Sequence, residues 1–442
     1  MTIYKRLAVV ASLLTPVLGY AQSWQDTVAE RTAAIETKVV AIRHDLHAHP
    51  ELGNREFKTA AKIAEHLRGL NFDEVQTGVA HTGVVGILKG RSDFPVVALR
   101  ADMDGLPVTE KTGLPFASKV TTQWRGQETG VMHACGHDAH MAILMGVAEI
   151  LAGMRDEIPG TVKFIFQPAE EGAPEGEEGG ADLMIREGVL EGPYAPGAIV
   201  GLHVFPVPAG MISYRPEGML AASDGLSITV KGVQTHGSSP WAGVDPIAVS
   251  AQIINSLQHV VSRQLDLTTA PAVITIGSIN GGNRGNIIPE EVSMTGTIRT
   301  LDPQMRTDVH ARIKKTVRLV AQSAGAEVDV EVHEGYPVTY NDPALTARMA
   351  PVLTRVAKEG QAIVAKPVLG AEDFSYFANE IPGLFFGLGV AKDGVAPGQS
   401  ASNHSPYFYV NDSALPVGMK ALSHLALEWL HDALSLIHIS EP

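Results

Sequence analysis

A single cysteine occurs in 442 residues, and it stands among histidines. The stretch VMHACGHDAHM, residues 131–141, sets Cys135 beside His133, His137, Asp138 and His140. Thiolate, imidazole and carboxylate are the donors that hold zinc and its neighbours. Cys135 and His137 are two residues apart. In an extended segment such side chains point the same way, so the two are expected to reach one metal or a metal pair. Asp138 precedes an apolar helical pattern and suits a helix N-cap as well as a metal role. His133 and His140 are expected to support the ligands rather than join them. In FQPAEEG, Glu170 and Glu171 sit side by side at the end of an apolar strand. Adjacent carboxylates repel, so the pair needs cations or plentiful water. One can bind metal while the other handles protons, which is the division of labour of a metallohydrolase. Glu175, Glu177 and Glu178, in the acidic run that follows, read as a solvated loop. His203 closes the apolar run in GLHVFP, and His404 lies in the polar turn SNHSPYF. Each alone is more often structural. With Cys135, His137 and Glu171 they make five N, S and O donors that zinc, manganese, cobalt or nickel would fit.

The lone thiol admits two other readings. Cys135 could be the nucleophile of a cysteine hydrolase, but that leaves Glu170, Glu171, His203 and His404 without work. A non-catalytic periplasmic metal- or solute-binding protein is the third class. Pure binding does not need a free base beside a ligand, which argues against it. One cysteine excludes an intrachain disulfide even in an oxidising compartment. Such a compartment is expected: Lys5 and Arg6, then LAVVASLLTPVLG, then the small residues before Gln22 have the order of an export signal over residues 1–21. The mature chain is therefore expected in a periplasm or outside the cell. The formal net charge of −14 argues against a nucleic-acid partner. No internal apolar run is long enough to span a bilayer.

The elements that must position these residues are those of an α/β fold. Helices are expected over residues 24–46 and 56–70, the second with Ala60, Ile63, Ala64 and Leu67 on its apolar face. GVVGILKG, PVVALRADMD, GTVKFIFQPAEEG and AIVGLHVFP read as buried strands, with ILMGVAEILAG as a helix between them. From residue 223 to 335 the order becomes strand, helix, strand, strand, helix, strand, which suits a small ferredoxin-like layer. Residues 22–222 and 336–434 share the first texture, so the small domain is expected as an insertion in the larger one. SLIHISEP, at residues 435–442, fits no expected element and reads as a disordered or non-native tail.

The motifs DLHAHPEL, ALRADMDGLPV, MHACGHDAHM, FQPAEEG, GLHV, NIIPEEV, GTIRT, GAEDFSYF and NHSPYF follow one another along nearly the whole mature chain. In this order the sequence resembles the aminoacylase/carboxypeptidase-type dinuclear metallohydrolases, in the branch of hippurate hydrolases and auxin-conjugate amidohydrolases. The resemblance implies a mixed-sheet, zinc-peptidase-like catalytic domain and an inserted ferredoxin-like α+β domain that serves as lid and dimerisation surface. It implies two divalent metal ions per subunit, with Cys135 shared between them and His137, Glu171, His203 and His404 completing the set. Glu170 is implied as general acid/base. His236, in THGSSPW, is implied to reach the partner subunit's active site and bind the substrate carbonyl, and Asn286 and Arg299 to bind a substrate carboxylate. The implied reaction is hydrolysis of an N-acyl amino acid or short peptide by a homodimer or higher homo-oligomer. Two departures stand out. Arg100 occupies the position two before Asp102 where other branches carry a metal-binding histidine, so Asp102 is expected in a supporting role. Trp241 follows Pro240 where many relatives have histidine, and it is expected to shape the acyl or side-chain pocket or simply to pack at the lid. His44, His47 and His49 are excluded as ligands; His49-Pro50-Glu51 is expected to pin the segment before the next helix.

Overall fold

A computed structural model describes residues 23–357, 360–396 and 398–440. The export signal expected at residues 1–21 lies outside them. The larger body is built on an eight-stranded sheet in the spatial order 74–79, 83–89, 161–167, 96–102, 198–208, 383–391, 212–214, 362–364. Its four central strands, Thr161–Gln167, Val96–Asp102, Ala198–Pro208 and Gly383–Ala391, run parallel. Strands buried on both faces read as continuous apolar runs. Val96–Asp102 and Thr161–Gln167 are buried at every position.

Helix His137–Ala152 lies against this sheet and beneath the helices Trp24–Ala48 and Leu415–Ser440. It is buried all round except near its C-terminal end, so it carries apolar residues on every side rather than a stripe. No element was expected from residue 435 onward. The last helix instead runs on to Ser440, and residues 435–440 hold no Gly or Pro to stop it.

The smaller body begins with strand Ala222–Lys231 and ends with Glu327–His333. Its four-stranded antiparallel sheet has the order 272–280, 291–300, 222–231, 327–333, covered by helices Pro246–Gln264 and Pro303–Ser323. This is the ferredoxin-like α+β insertion. Asp-Pro pairs open both helices: the carboxylates of Asp245 and Asp302 accept from backbone N–H groups of the first turn, and proline takes the position that needs no donor.

Where the chain passes between the two bodies, the Ser223 N–H donates to Tyr336 O at 3.0 Å. Asp224 is held there by Arg306, by His310 Nε2 at 2.8 Å and by the Gly335 N–H at 3.1 Å.

Candidate metal centre

The donors converge at the C-terminal ends of the parallel strands. There a crossover sheet exposes its loops and helix N-termini. Strand Val96–Asp102 delivers Asp102 and, two residues on, Asp104. Strand Thr161–Gln167 runs into Glu170 and Glu171 after Ala169, whose φ is +51°. His203 comes from inside strand Ala198–Pro208. His404 comes from a turn after the last strand and also has positive φ, +68°. A non-glycine residue held in the left-handed region is uncommon and costs strain. Two of them flank this site.

Cys135 and His137 meet by a different route from the one expected. They are not on an extended segment: Gly136 is the N-cap of helix His137–Ala152, in the left-handed region at φ +95°. A Cβ there would lie 2.3 Å from Val204 Cγ2. Glycine thus makes the sharp turn that aims a loop thiol and the first helical imidazole at one point.

The five donors, with Glu170 beside them, fall into overlapping triples. Cys135, His137 and His203 form one, Cys135, Glu171 and His404 another, and His137, Glu170 and Glu171 a third, with ligand atoms within 4.8 Å of one another in each. Cys135 Sγ belongs to the first two, 3.3 Å from both His203 Nε2 and His404 Nε2. Each buried imidazole is oriented by its other nitrogen. His203 Nδ1 donates to Val204 O at 2.8 Å and His137 Nδ1 to Asp104 Oδ1 at 3.2 Å. His137 Nε2 is left buried with no hydrogen-bond partner. Glu171 Oε1 faces His404 Nε2 at 2.9 Å, yet is also buried without a hydrogen bond. An imidazole fixed from behind with its Nε2 free in front, as at His137, is what metal ligation asks for.

The charge balance makes the same point. Asp102, Asp104, Glu170, Glu372 and Asp373 are all buried, with Glu171 partly so. Arg100 is the guanidinium among them, bound to Asp102 at 2.7 Å, Glu372 at 3.0 Å and Asp373 at 2.9 Å. Burial pushes the Glu170 carboxyl well up, and Glu372, Glu171, Asp373 and Asp104 push it further. Burial alone would lower the His137 imidazole, but Asp102 and Asp104 carry it up to about 10. So many carboxylates around so little positive charge leave a centre that two divalent cations would compensate. Burial also raises the Cys135 thiol far above its ordinary range, with Glu171 and Glu170 adding to it.

The neighbours take definite roles. His140 Nδ1 donates to Asp102 Oδ1 at 2.6 Å and its Nε2 accepts from the Val204 N–H at 2.9 Å, so both nitrogens are used in support. Asp138 is neither cap nor donor at this centre. Its Oδ2 accepts from Arg43 Nε and His47 Nδ1, each at 2.9 Å. The helix gets its cap geometry from Gly136, which frees Asp138 to tie down the first helix. His44 pairs with Asp412, and His49 Nδ1 with Asp45 O. Glu51 caps the second helix, accepting from Lys58 N and Thr59 N at 2.9 Å. His133 is buried with both nitrogens unpartnered.

Sequence reasoning missed four contributors. Asp104 holds two candidate ligands, His137 through Oδ1 and the Glu171 N–H through Oδ2 at 2.9 Å. Glu372 and Asp373 join Glu170 in a buried carboxyl group of three. Tyr336 donates from Oη to Glu170 O at 2.6 Å. GAEDFSYF and RADMD were visible as motifs, but which acid faces the centre depends on strand register across distant segments.

His236, Asn286 and Arg299 stand apart on the smaller body. His236 is exposed and its Nδ1 accepts from the Ser238 N–H at 3.1 Å. Asn286 is exposed and its carbonyl accepts from the Gly237 N–H. Arg299 lies on the strand between 222–231 and 272–280, with Nη1 buried and unpartnered. Among the described residues no hydrogen bond or ion pair joins any of the three to the donor cluster. Trp241 is 81% exposed, so it is not packed within this chain.

Known proteins resemble this chain along most of its length. Thermostable carboxypeptidase 2 of Saccharolobus solfataricus is 39% identical, over 89% of this chain and 96% of its own. N-acetylcysteine deacetylase of Bacillus subtilis is 36% identical, over 89% and 97%. IAA-amino acid hydrolase ILR1-like 2 of Arabidopsis thaliana is 34% identical, over 98% of both. The crystal structure of a Bacillus subtilis dinuclear metal-binding peptidase of the M20 family superposes with a TM-score of 0.75 at 34% identity, covering 90% of this chain and 99% of that one. The sequence profile of peptidase family M20/M25/M40 matches residues 98–428. With the fold, the donor cluster and the full-length similarity in agreement, the chain belongs to the M20/M25/M40 peptidase family and is a hydrolase of that family.

Proposed function

We propose that this protein is a two-metal amidohydrolase that cleaves the amide bond of N-acyl amino acids or short peptides. The observation that carries the reading is the pair of donor triples sharing Cys135 Sγ, with the Glu170 carboxylate 3.9 Å from His137 Nε2. Cys135, His137, Glu171, His203 and His404 would hold two divalent cations, drawn from zinc, manganese, nickel and cobalt. When bound, such cations acidify a water and polarise the scissile carbonyl. Glu170, which carries no ligand duty in this scheme, takes the water's proton on a carboxylate oxygen and delivers it to the departing amine nitrogen. The acyl-amino-acid and carboxypeptidase activities in the relatives' names fit this chemistry.

His236 is proposed to complete the site from a second subunit by donating to the developing oxyanion. Arg299, with its unpartnered Nη1, and Asn286 are suited to a substrate carboxylate. A homodimer is thereby part of the proposal. A nucleophilic Cys135 would need a depressed thiol pKa, and its buried, acid-lined setting does the opposite. Export is proposed on the charge-then-apolar order of residues 1–21.

The decisive experiment is Glu170→Gln in the metal-loaded enzyme. Turnover of N-acyl amino acids is expected to fall by about 10²–10⁴-fold with metal content retained. Full activity in that variant, or activity surviving complete chelation, would end the reading. N-terminal sequencing of the same purified chain checks export, which predicts a start near Gln22.

A further inference from the structure

The smaller body carries opposite charge on its two faces, and none of the chemistry above uses that arrangement. Helices Pro246–Gln264 and Pro303–Ser323 cover one side of its sheet. After Asp308 the second helix holds Arg312, Lys314, Lys315 and Arg318 and no acid, and the first holds Arg263 and no acid. The ion pairs of the second helix belong to Arg306 and His310. Among the described residues none of the other five cations has one. Asp308, one turn before Arg312, is engaged by Gln304 Nε2 at 3.3 Å instead. Strand Glu327–His333 presents the opposite sign. Its Val328, Val330 and Val332 pack into the core under the helices. Glu327, Asp329 and Glu331, at the alternate positions, therefore face away from the helices, and all three are exposed. A chain of net charge −14 thus turns one basic layer outward.

That layer also has a hollow. Gln264, Ala311, Arg312, Lys315, Thr316 and Leu319 enclose a cavity of about 370 Å³, with no carboxylate among them. Arg312 donates from Nη1 to Gln264 Oε1 at 3.3 Å, while its Nε is buried with no hydrogen-bond partner. A buried donor left without an acceptor costs free energy, which an acceptor arriving from outside would recover. Arg312, Lys315 and Leu319 lie at three- and four-residue steps and so share one face of the helix. Leu319 is 53% exposed. Cations around an exposed leucine match a surface that is anionic at its headgroups and apolar just beneath them.

We propose that this helical layer docks on an anionic phospholipid surface, with a headgroup phosphate received in the hollow at Arg312 and Lys315. Phosphate oxygens supply the acceptor that Arg312 Nε lacks. A broad anionic surface also engages Arg263, Lys314 and Arg318 together, which a single small anion cannot do. The acidic strand face then points away from the lipid. His236 and Trp241 stay available to a partner subunit. The chain enters helix Pro246–Gln264 after them, and Arg263 lies at its far end, about 25 Å along the axis. Docking of this kind does not depend on the amidohydrolase reading.

The test sediments the metal-loaded full chain with vesicles at low salt. It should bind vesicles that contain phosphatidylglycerol, ignore vesicles of phosphatidylcholine alone, and leave the former as salt is raised. Arg263→Gln, Lys315→Gln and Arg318→Gln combined, all at exposed positions, should weaken binding about 100-fold, or about fivefold per cation removed, with Tm unchanged. Glu327→Gln, Asp329→Asn and Glu331→Gln combined, on the opposite face, should not weaken it. Failure to bind phosphatidylglycerol vesicles, equal binding to both kinds, or full binding by the variant lacking the three cations would overturn the docking surface. Saturation by inorganic phosphate without any vesicle binding would also overturn it, and would leave the hollow as a site for a small anion.

Discussion

Each candidate ligand at this centre is only as good as the group behind it. Asp104 shows this most directly. One carboxylate oxygen orients the His137 ring through Nδ1, and the other fixes the backbone of Glu171. Two of the five donors thus depend on a residue that touches no metal in the proposed scheme. Asp104→Asn keeps the shape but replaces one acceptor with a donor, and it removes a negative charge that favours bound cations. Metal affinity is expected to fall about 10–100-fold, measured by competition with a chromogenic chelator. Affinity equal to wild type would show that the ring and the loop hold their positions without it.

At the scale of elements, a charged cluster fixes the end of the smaller body where the chain crosses to the larger one. Asp224, on the first strand of the smaller body, accepts from Arg306 and His310 on helix Pro303–Ser323 and from the Gly335 N–H. Burial would raise its carboxyl, but the hydrogen bonds from His310 and Arg306 outweigh that and hold it at about 2. A folded-state pKa below the unfolded value gives stability that is present above about pH 4 and is lost as pH falls toward 2. Asp224→Asn should therefore cost about 1–3 kcal/mol at neutral pH. The gap between variant and wild type should close as pH drops through that window. Urea unfolding at a series of pH values checks this, and a gap independent of pH would contradict it. The adjoining Tyr336 hydroxyl binds the carbonyl of Glu170, so this joint touches the proposed catalytic base directly.

At the scale of the whole molecule, one chain leaves its site open. His236 is exposed on the smaller body, and among the described residues no hydrogen bond or ion pair joins it to its own donor cluster, while Trp241 and Ile247 nearby are 81% and 46% exposed. The proposed dimer supplies His236 across the subunit boundary. Mixing inactive Glu170→Gln with inactive His236→Ala chains should then restore roughly a quarter of wild-type activity, from the one intact site in half of the dimers. Restoration requires subunit exchange, which sedimentation with a labelled chain monitors. No recovery after demonstrated exchange would place His236 outside the partner's site.

Residue type and local order were enough to find the chemistry. HACGHD, FQPAEEG, GLHV and SNHSPYF are short segments, and a thiol, imidazoles and paired carboxylates announce their chemistry wherever they fall. The strand and helix texture also separates the small body from the large one, because hydrophobic period is a local property. What the sequence did not settle was geometry. Cys135 and His137 meet through the left-handed turn at Gly136, not along an extended strand, and only the close approach of Val204 shows why glycine must be there. Asp138 looked like a cap or a ligand, yet Arg43 and His47, about ninety residues away in sequence, claim its carboxylate. Asp104, Glu372 and Tyr336 acquire their roles from parallel strand register and from chain crossings between the two bodies. The amino-acid sequence by itself determined which groups could hold metal and move protons, since that follows from side-chain type. Tertiary structure alone decided which of them face one another, since that is set by long-range packing that no local pattern encodes.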